Sequence, residues 1–404
     1  MVQPRVLQLN PKVASSPQEE DFSLVLGGPL YQLYLATRLA RPHLELVVRR
    51  MLAASLICWL PLLVLAAVAG QLTSGAPIPF LRDPEVHIRF LVALPILIAS
   101  EVFVHDRMRN IVSQFLSRNI IASEDRPHFE KVVASAMSLR NSAIIEIVLL
   151  VLTVPLGPWL WGHNFALHLS SWFQNYDPAG SHLTAGGWYY VFVSLAIFRF
   201  ILLRWYFRLF IWYRFLWQVR AIPLQFNLFH PDRAGGIGFL SSSTDAFTPV
   251  FVAQTAVVAG TIFTQIRYTG EKLPQYLTEI TGVLIFVVLT LTFPLGFFFV
   301  QLQNAARRAK REFGILASSY VDDFHRKWIE SRNSAAEPLL GTSDIQSLAD
   351  LANSFEVISR IRMIPISKEV LSRLVINVAI PFLPLIFTMV PLAELLEKVL
   401  KIMF

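Results

Sequence analysis

Residues 188–217 read WYYVFVSLAIFRFILLRWYFRLFIWYRFLW, and this stretch decides the fold. It is long and apolar enough to cross a bilayer, yet it carries Arg199, Arg204, Arg208 and Arg214 among fourteen aromatic residues. A charge inside a membrane span is costly and by default marks either function or a buried partner. A dozen residues further on, residues 229–240 read FHPDRAGGIGFL, a Gly-rich turn signal that also holds a histidine, an aspartate and an arginine.

The rest of the chain agrees with a membrane reading. Of its 404 residues 54% are hydrophobic and 16% charged. Mean hydropathy is +0.52. Soluble domains carry roughly 25% charge, so the composition predicts an integral membrane protein. A formal charge of +7 raises the question of nucleic acid, but the basic residues collect in particular loops, as membrane orientation requires. No nucleic-acid partner is therefore expected. Cys58 is the only cysteine and lies in an apolar run, which removes a disulfide framework and a thiolate metal site. No metal or cofactor is expected.

Seven stretches reach the roughly 20 helical residues that a hydrocarbon core demands: 51–70, 88–104, 143–162, 188–208, 249–266, 280–301 and 374–391. Residues 1–50 show no short apolar core after a basic start, so the first of these stretches is expected to be a retained helix. Lys and Arg number six in residues 1–50, six in 105–142 and eleven in 302–373, against one in 71–87, none in 163–187 and two in 267–279. Residues 218–248 have two, which decides nothing alone. The asymmetry predicts a cytoplasmic N-terminus and a C-terminus on the other side. It divides the chain into a cytoplasmic N-terminal segment (1–50), six spans (51–301), a cytoplasmic helical segment (302–373), and a last span with an amphipathic tail (374–404).

Local signals refine this division. Residues 1–21, with Pro4, Pro11 and Pro17, are expected to be loosely ordered, and residues 22–40 suit an interfacial helix despite the break at Gly27, Gly28 and Pro29. Thr248 before Pro249 predicts the start of the fifth span, where Ala256, Gly260 and Thr264 recur at four-residue spacing as a packing seam. Pro155, Pro294, Pro381 and Pro384 interrupt other spans, and the carbonyls they free must be satisfied by neighbours or line a cavity. Residues 302–332 should continue the sixth helix beyond the membrane, with Arg307, Arg308, Lys310 and Arg311 at the headgroups. After a loop over residues 331–341, Ser343 and Gln346 stand in capping-box spacing. Ile345, Leu348, Leu351, Phe355 and Ile358 then follow at helical intervals. That apolar stripe needs a partner: the preceding helix, residues 105–142, a second copy of the chain or another protein. Leu392, Leu395, Leu396, Val399 and Ile402 predict an interfacial helix at the C-terminus, or a reentrant last span.

Depth sorts the four arginines. At 1.5 Å per residue from Trp188, Arg199 lies roughly 16 Å down, Arg204 about 24 Å and Arg208 about 30 Å. Arg208 and Arg214 then read as interface anchors, leaving Arg199 and Arg204 to be explained. Around the helix the four point to roughly 0°, 140°, 180° and 60°, so they form no single stripe and do not make a voltage sensor. Glu101 and Glu146 are the acidic residues at matching depth. Glu101, Glu146 and Arg204, with Arg140, Asn141 and Arg199 as further candidates, are expected to form a buried cluster, either an ion pair locking the second to fourth helices or a proton or ion pathway.

His230, Asp232 and Arg233 form the other constellation. A histidine two residues from an aspartate can be a general base with its orienting carboxylate, and Arg beside consecutive glycine N–H groups can hold a phosphate. The competing reading, and the favoured one, is a structural turn in which Asp232 caps backbone N–H groups while Gly235, Gly236 and Gly238 permit positive φ. No catalytic motif accompanies these residues.

Residues 230–240 (HPDRAGGIGFL), together with LADLANSFEVI at 348–358 and the proline-rich last span, resemble a group of multi-pass bacterial inner-membrane proteins without assigned activity. The resemblance implies a bacterial cytoplasmic membrane and carries over no catalytic or ligand residue. The expectation is an all-α polytopic membrane protein with about seven transmembrane helices and a helical cytoplasmic loop. Its leading function is that of a channel or transporter. The alternatives are a scaffold or signalling protein that binds partners through residues 302–373, and a membrane-embedded enzyme built on His230 and Asp232. Beyond the lipid bilayer, a homo-oligomeric copy is the candidate partner.

Overall fold

A computed structural model describes residues 22–39, 46–164, 170–177, 180–330 and 343–389. The first 21 residues, the expected loop at 331–341 and the amphipathic tail after Pro391 lie outside the described residues. Six helices are long and apolar enough to cross a membrane, and a bent pair brings the number to seven. The protein is an all-α polytopic membrane protein.

The helices are α1 (Pro29–Ala36), α2 (Val47–Val68), α3 (Pro84–Ser117), α4 (Arg126–Arg140), α5 (Ala143–Asn164), α6 (Ala185–Val219), α7 (Gly238–Thr269), α8 (Leu277–Thr292), α9 (Phe299–His325), α10 (Ser343–Ser359) and α11 (Lys368–Ala379). The bent pair is α4 and α5, which meet at 43° across Asn141 and Ser142. Between α5 and α6 a small antiparallel hairpin pairs Gln174–Asp177 with Gly180–Leu183. We call that end of the bundle the hairpin end. The other, where α4, α9 and α10 lie, is the basic end.

Helix α6 is the axis. It runs 35 residues, roughly 52 Å at 1.5 Å per residue and far beyond a hydrocarbon core of about 30 Å. The span expected at 188–208 therefore continues to Val219, because Leu209, Ile211, Trp212, Phe215 and Leu216 are buried against other elements rather than spread along a headgroup layer. Phe215 packs edge-on against Phe115 and Phe129, and Phe22 sits 5.1 Å from the same ring. Such aromatic pairs contribute about 0.5–1.5 kcal/mol each beyond the area they bury.

Prolines in two neighbouring helices are repaired by tyrosines of α6. Pro61 in α2 has no N–H for the carbonyl of Ile57, and Tyr189 donates its hydroxyl to that oxygen at 3.0 Å. Pro294 likewise frees the carbonyl of Thr290, and Tyr213 donates to it. At the next residue along α2, Ser194 donates to the carbonyl of Cys58 at 2.7 Å. Both of these breaks are thus filled by a neighbouring side chain.

The fifth span begins earlier than Thr248 and Pro249 suggest. Helix α7 opens with a 3₁₀ turn at Gly238–Ser241 and carries Pro249 in its interior. Hydroxyls bridge this stretch by donating back to preceding carbonyls: Ser243 to Leu240, and Thr248 to Thr244, both at 2.7 Å. The hydroxyl of Thr248 is therefore committed inside the helix and caps no N-terminus. Further along, a Cβ placed on Gly260 would meet Ile88 at 3.0 Å. The seam of small residues is where α7 approaches α3.

Helices α9 and α10 touch at both ends of an antiparallel pair. Ile358 and Ile361 bury themselves against Ala306 and Ala309, and Lys327 and Trp328 both donate to the Asp344 carboxylate. Elsewhere along the expected stripe Leu348 and Leu351 are half-buried, while Ile345 is 46% and Phe355 37% exposed. Gln346 turns to Asp350 at 3.0 Å rather than back to its own helix start, so the capping-box spacing is used differently.

Candidate functional site

Glu101, in the middle of α3, is the centre of a buried charge cluster. Its Oε2 accepts from Arg50 at 2.6 Å and its Oε1 from Arg208 at 2.9 Å, while Arg204 stands 3.9 Å from Oε1. Arg204 turns its other nitrogen to Glu146 at 3.0 Å. The second oxygen of Glu146 accepts the backbone N–H of Leu30 at 2.9 Å. All five side chains are less than 10% exposed. They come from α2, α3, α5 and α6, and carry three guanidiniums against two carboxylates, a formal excess of one positive charge. Ion pairs this dry are strongly coupled, and removing one partner leaves the others unsolvated.

Each member reaches the centre for a local reason. Arg204 and Arg208 are four residues apart and share a face of α6, so both point at α3. Arg50 lies one turn into α2, at the end where α2 crosses α3. Glu146 sits in the first turn of α5, just past the Asn141 bend, so the bend brings its carboxylate to the N-terminal segment.

That segment closes the cluster over. Residues 22–26 run without helix beneath the basic end, with Ser23, Leu24 and Val25 buried. Ser23 shares a hydrogen bond with His105 at 2.8 Å, and Arg140 donates to the carbonyl of Ser23 at 2.6 Å. Gly27 and Gly28 have φ of 151° and 83°, and a Cβ on Gly28 would meet Glu146 at 2.7 Å. Glycine is required here both for the backbone conformation and for the close approach. The continuous interfacial helix expected over 22–40 is accordingly reduced to Pro29–Ala36. Tyr34, on that helix, lies 5.5 Å from the Arg50 guanidinium, and burial together with the nearby Glu101 carboxylate pushes its phenol up to about 12.

Glu101 and Glu146 thus both meet Arg204, whereas Arg199 stands apart. Arg199 is half-buried near Tyr190 and Arg89, about 140° around α6 from Arg204 and more than a turn toward the hairpin end. Arg140 and Asn141 touch the N-terminal segment. Arg208 is not an interface anchor: it is 4% exposed and bound to Glu101. Depth along a straight span puts Arg208 at the membrane boundary, but α3 and the N-terminal segment extend the protein interior past that level. Arg214 does reach the edge, where it donates to Ser135 of α4 at 3.0 Å. Sequence reasoning missed Arg50, which was counted with the N-terminal segment. It also missed the pairing of Arg89 with Glu85 and Tyr190 in the other half of the bundle. The i,i+4 spacings Arg204–Arg208 and Glu85–Arg89 were the available signals.

The second constellation is a turn. Asp232 Oδ1 accepts from the N–H groups of Ala234 at 2.8 Å and Gly236 at 3.2 Å, and Oδ2 from that of Gly238 at 2.8 Å. Both oxygens are occupied by backbone donors. His230 Nδ1 is 3.1 Å from Asp232 but also accepts the N–H of Asp232. Arg233 has a φ of 51°, and its carbonyl accepts the N–H of Arg362, pinning the turn to the segment after α10. Among the described residues no group of three or more His, Cys, Asp or Glu side chains is placed to hold a metal ion.

These features define an integral membrane protein with a charged core. No family model, curated protein or solved structure matches the chain.

Proposed function

We propose that the protein is a membrane transporter or channel of the bacterial cytoplasmic membrane, with its N-terminus cytoplasmic. The Arg50–Glu101–Arg208 and Arg204–Glu146 contacts are its closed gate, and residues 22–36 are the plug over that gate. The observation that carries this reading is the burial of five charged groups from four helices under a short segment whose polar ties include Leu30 N–H to Glu146, Arg140 to the Ser23 carbonyl and Ser23 to His105. Helices can be locked by apolar packing at lower cost, whereas charges kept inside a membrane domain mark pathways and gates. The excess positive charge favours an anionic solute. The concentration of basic residues at one end supports the orientation.

Flux into liposomes tests the proposal. Wild type should pass a common inorganic anion slowly, and Glu146→Gln, which weakens the hold on Arg204 and Leu30, should pass it several-fold faster. A folded wild type and a folded Glu146→Gln protein that both fail to pass any common ion would overturn it.

One observation favours a second reading, a scaffold that binds protein through residues 302–373. Ile315, Leu316, Ile345 and Phe355 expose apolar surface on α9 and α10, and exposed apolar patches mark interaction sites. Crosslinking from these four positions would separate the two readings. The enzyme reading draws no support from a turn whose carboxylate is filled by backbone donors.

A further inference from the structure

At the hairpin end, away from the charge cluster, a cleft of about 420 Å³ opens between the start of α3 and the end of α7, lined by Leu81, Arg82, Pro84, His87, Ile88 and Arg267. We propose that it binds a phosphate group, that of a glycerophospholipid headgroup or of free inorganic phosphate, between Arg82 and Arg267. The inference is independent of the transport reading.

Three observations carry it. First, the two guanidiniums have no carboxylate partner among the described residues, although acidic residues are close in sequence to both. Each of those is engaged elsewhere: Asp83 with Trp172, Glu85 with Arg89, and Glu271 with Tyr276. Both arginines are exposed and line one cleft, and guanidinium groups match phosphate oxygens with paired N–H donors. Second, the rims are tied together. Tyr268 donates its hydroxyl to the carbonyl of Arg82 at 2.8 Å, and its ring lies 6.0 Å from the Arg267 guanidinium. The backbone of Arg82 is thereby fixed to the residue next to Arg267, so both arginines arise from anchored positions around one opening. His87 is fixed as well, since its Nδ1 accepts from Trp59 at 2.9 Å. Third, the remaining walls are Leu81, Pro84 and Ile88, an apolar floor where two membrane-length helices end. A charged group beside apolar walls at the end of a span matches a phosphate that carries an alkyl chain.

Native mass spectrometry of the full chain in detergent, titrated with phosphatidylglycerol or with phosphate-free diacylglycerol, tests the site, alongside equilibrium dialysis against radiolabelled inorganic phosphate. Wild type should retain phosphatidylglycerol and not diacylglycerol, and the Arg82→Gln/Arg267→Gln protein should bind it about tenfold more weakly. Phosphatidylglycerol binding that inorganic phosphate does not displace assigns the site to lipid. Saturable binding of phosphate alone, lost in the same double variant, assigns it to the free ion. Both side chains are exposed, so each single variant should keep the wild-type melting temperature and lose part of the binding. If wild type and double variant bind phosphatidylglycerol and phosphate equally well, or if diacylglycerol is retained as well as phosphatidylglycerol, the proposal fails.

Discussion

The Glu101 cluster and the Asp232 turn both satisfy carboxylates, and they do it in opposite ways. Asp232 is filled by three N–H groups from within six residues of itself. Glu101 is held by arginines 51 and 107 positions away, with Arg204 close by. The turn is a local solution that could exist in a short peptide. The cluster exists only when α2, α3, α5, α6 and the N-terminal segment are all in place. Long-range charge pairs make assembly all-or-none, because each charge left out of the set is buried without a partner.

The sharpest test of this contrast is Glu101→Gln. It removes the charge that Arg50 and Arg208 share, and thermal or denaturant unfolding should show a loss of about 3–5 kcal/mol or a failure to assemble. A loss within experimental noise would mean that water or a mobile anion supports the arginines. Asp232→Ala should cost about 1–3 kcal/mol, and hydrogen exchange should confine the change to the amides of Ala234, Gly236 and Gly238. Faster exchange spreading into α6 would show that the turn is not local.

Smaller effects probe the helix breaks. Tyr213→Phe leaves the carbonyl of Thr290 without its donor and should lower stability by about 1 kcal/mol, and the more exposed Tyr189→Phe by less; equal and negligible losses would mean that the prolines are repaired otherwise. A pH dependence is also expected at the hairpin end. Burial, with the Glu85 carboxylate adding, pushes the Asp83 carboxyl from its ordinary 3.8 up to about 7. Its folded-state pKa is raised, so the neutral acid is the form the fold favours. Its stabilising contribution is complete below about pH 4 and is lost as pH rises through about 7. Asp83→Asn should flatten stability over that window, and an unchanged slope would locate the titration elsewhere.

Membrane class, helix number and the concentration of basic residues at one end were all legible in the sequence, because the roughly 20-residue span length and the cost of charge in lipid act on each segment separately. The Asp232 turn was legible for the same reason, since its donors and acceptor are neighbours in the chain. Glu101, Glu146 and Arg204 could be picked out by depth alone, but depth carries no information about what stands at the same level. Arg208 was therefore misplaced at an interface, Arg50 went unseen, and Arg199 was grouped with residues it does not meet. The tertiary structure decided these matters by adding two things a single helix does not contain: the bend at Asn141 and the buried return of residues 22–26. Together they make the interior deeper at the basic end than span length predicts, so arginines expected to snorkel to water are instead neutralised by carboxylates from other helices.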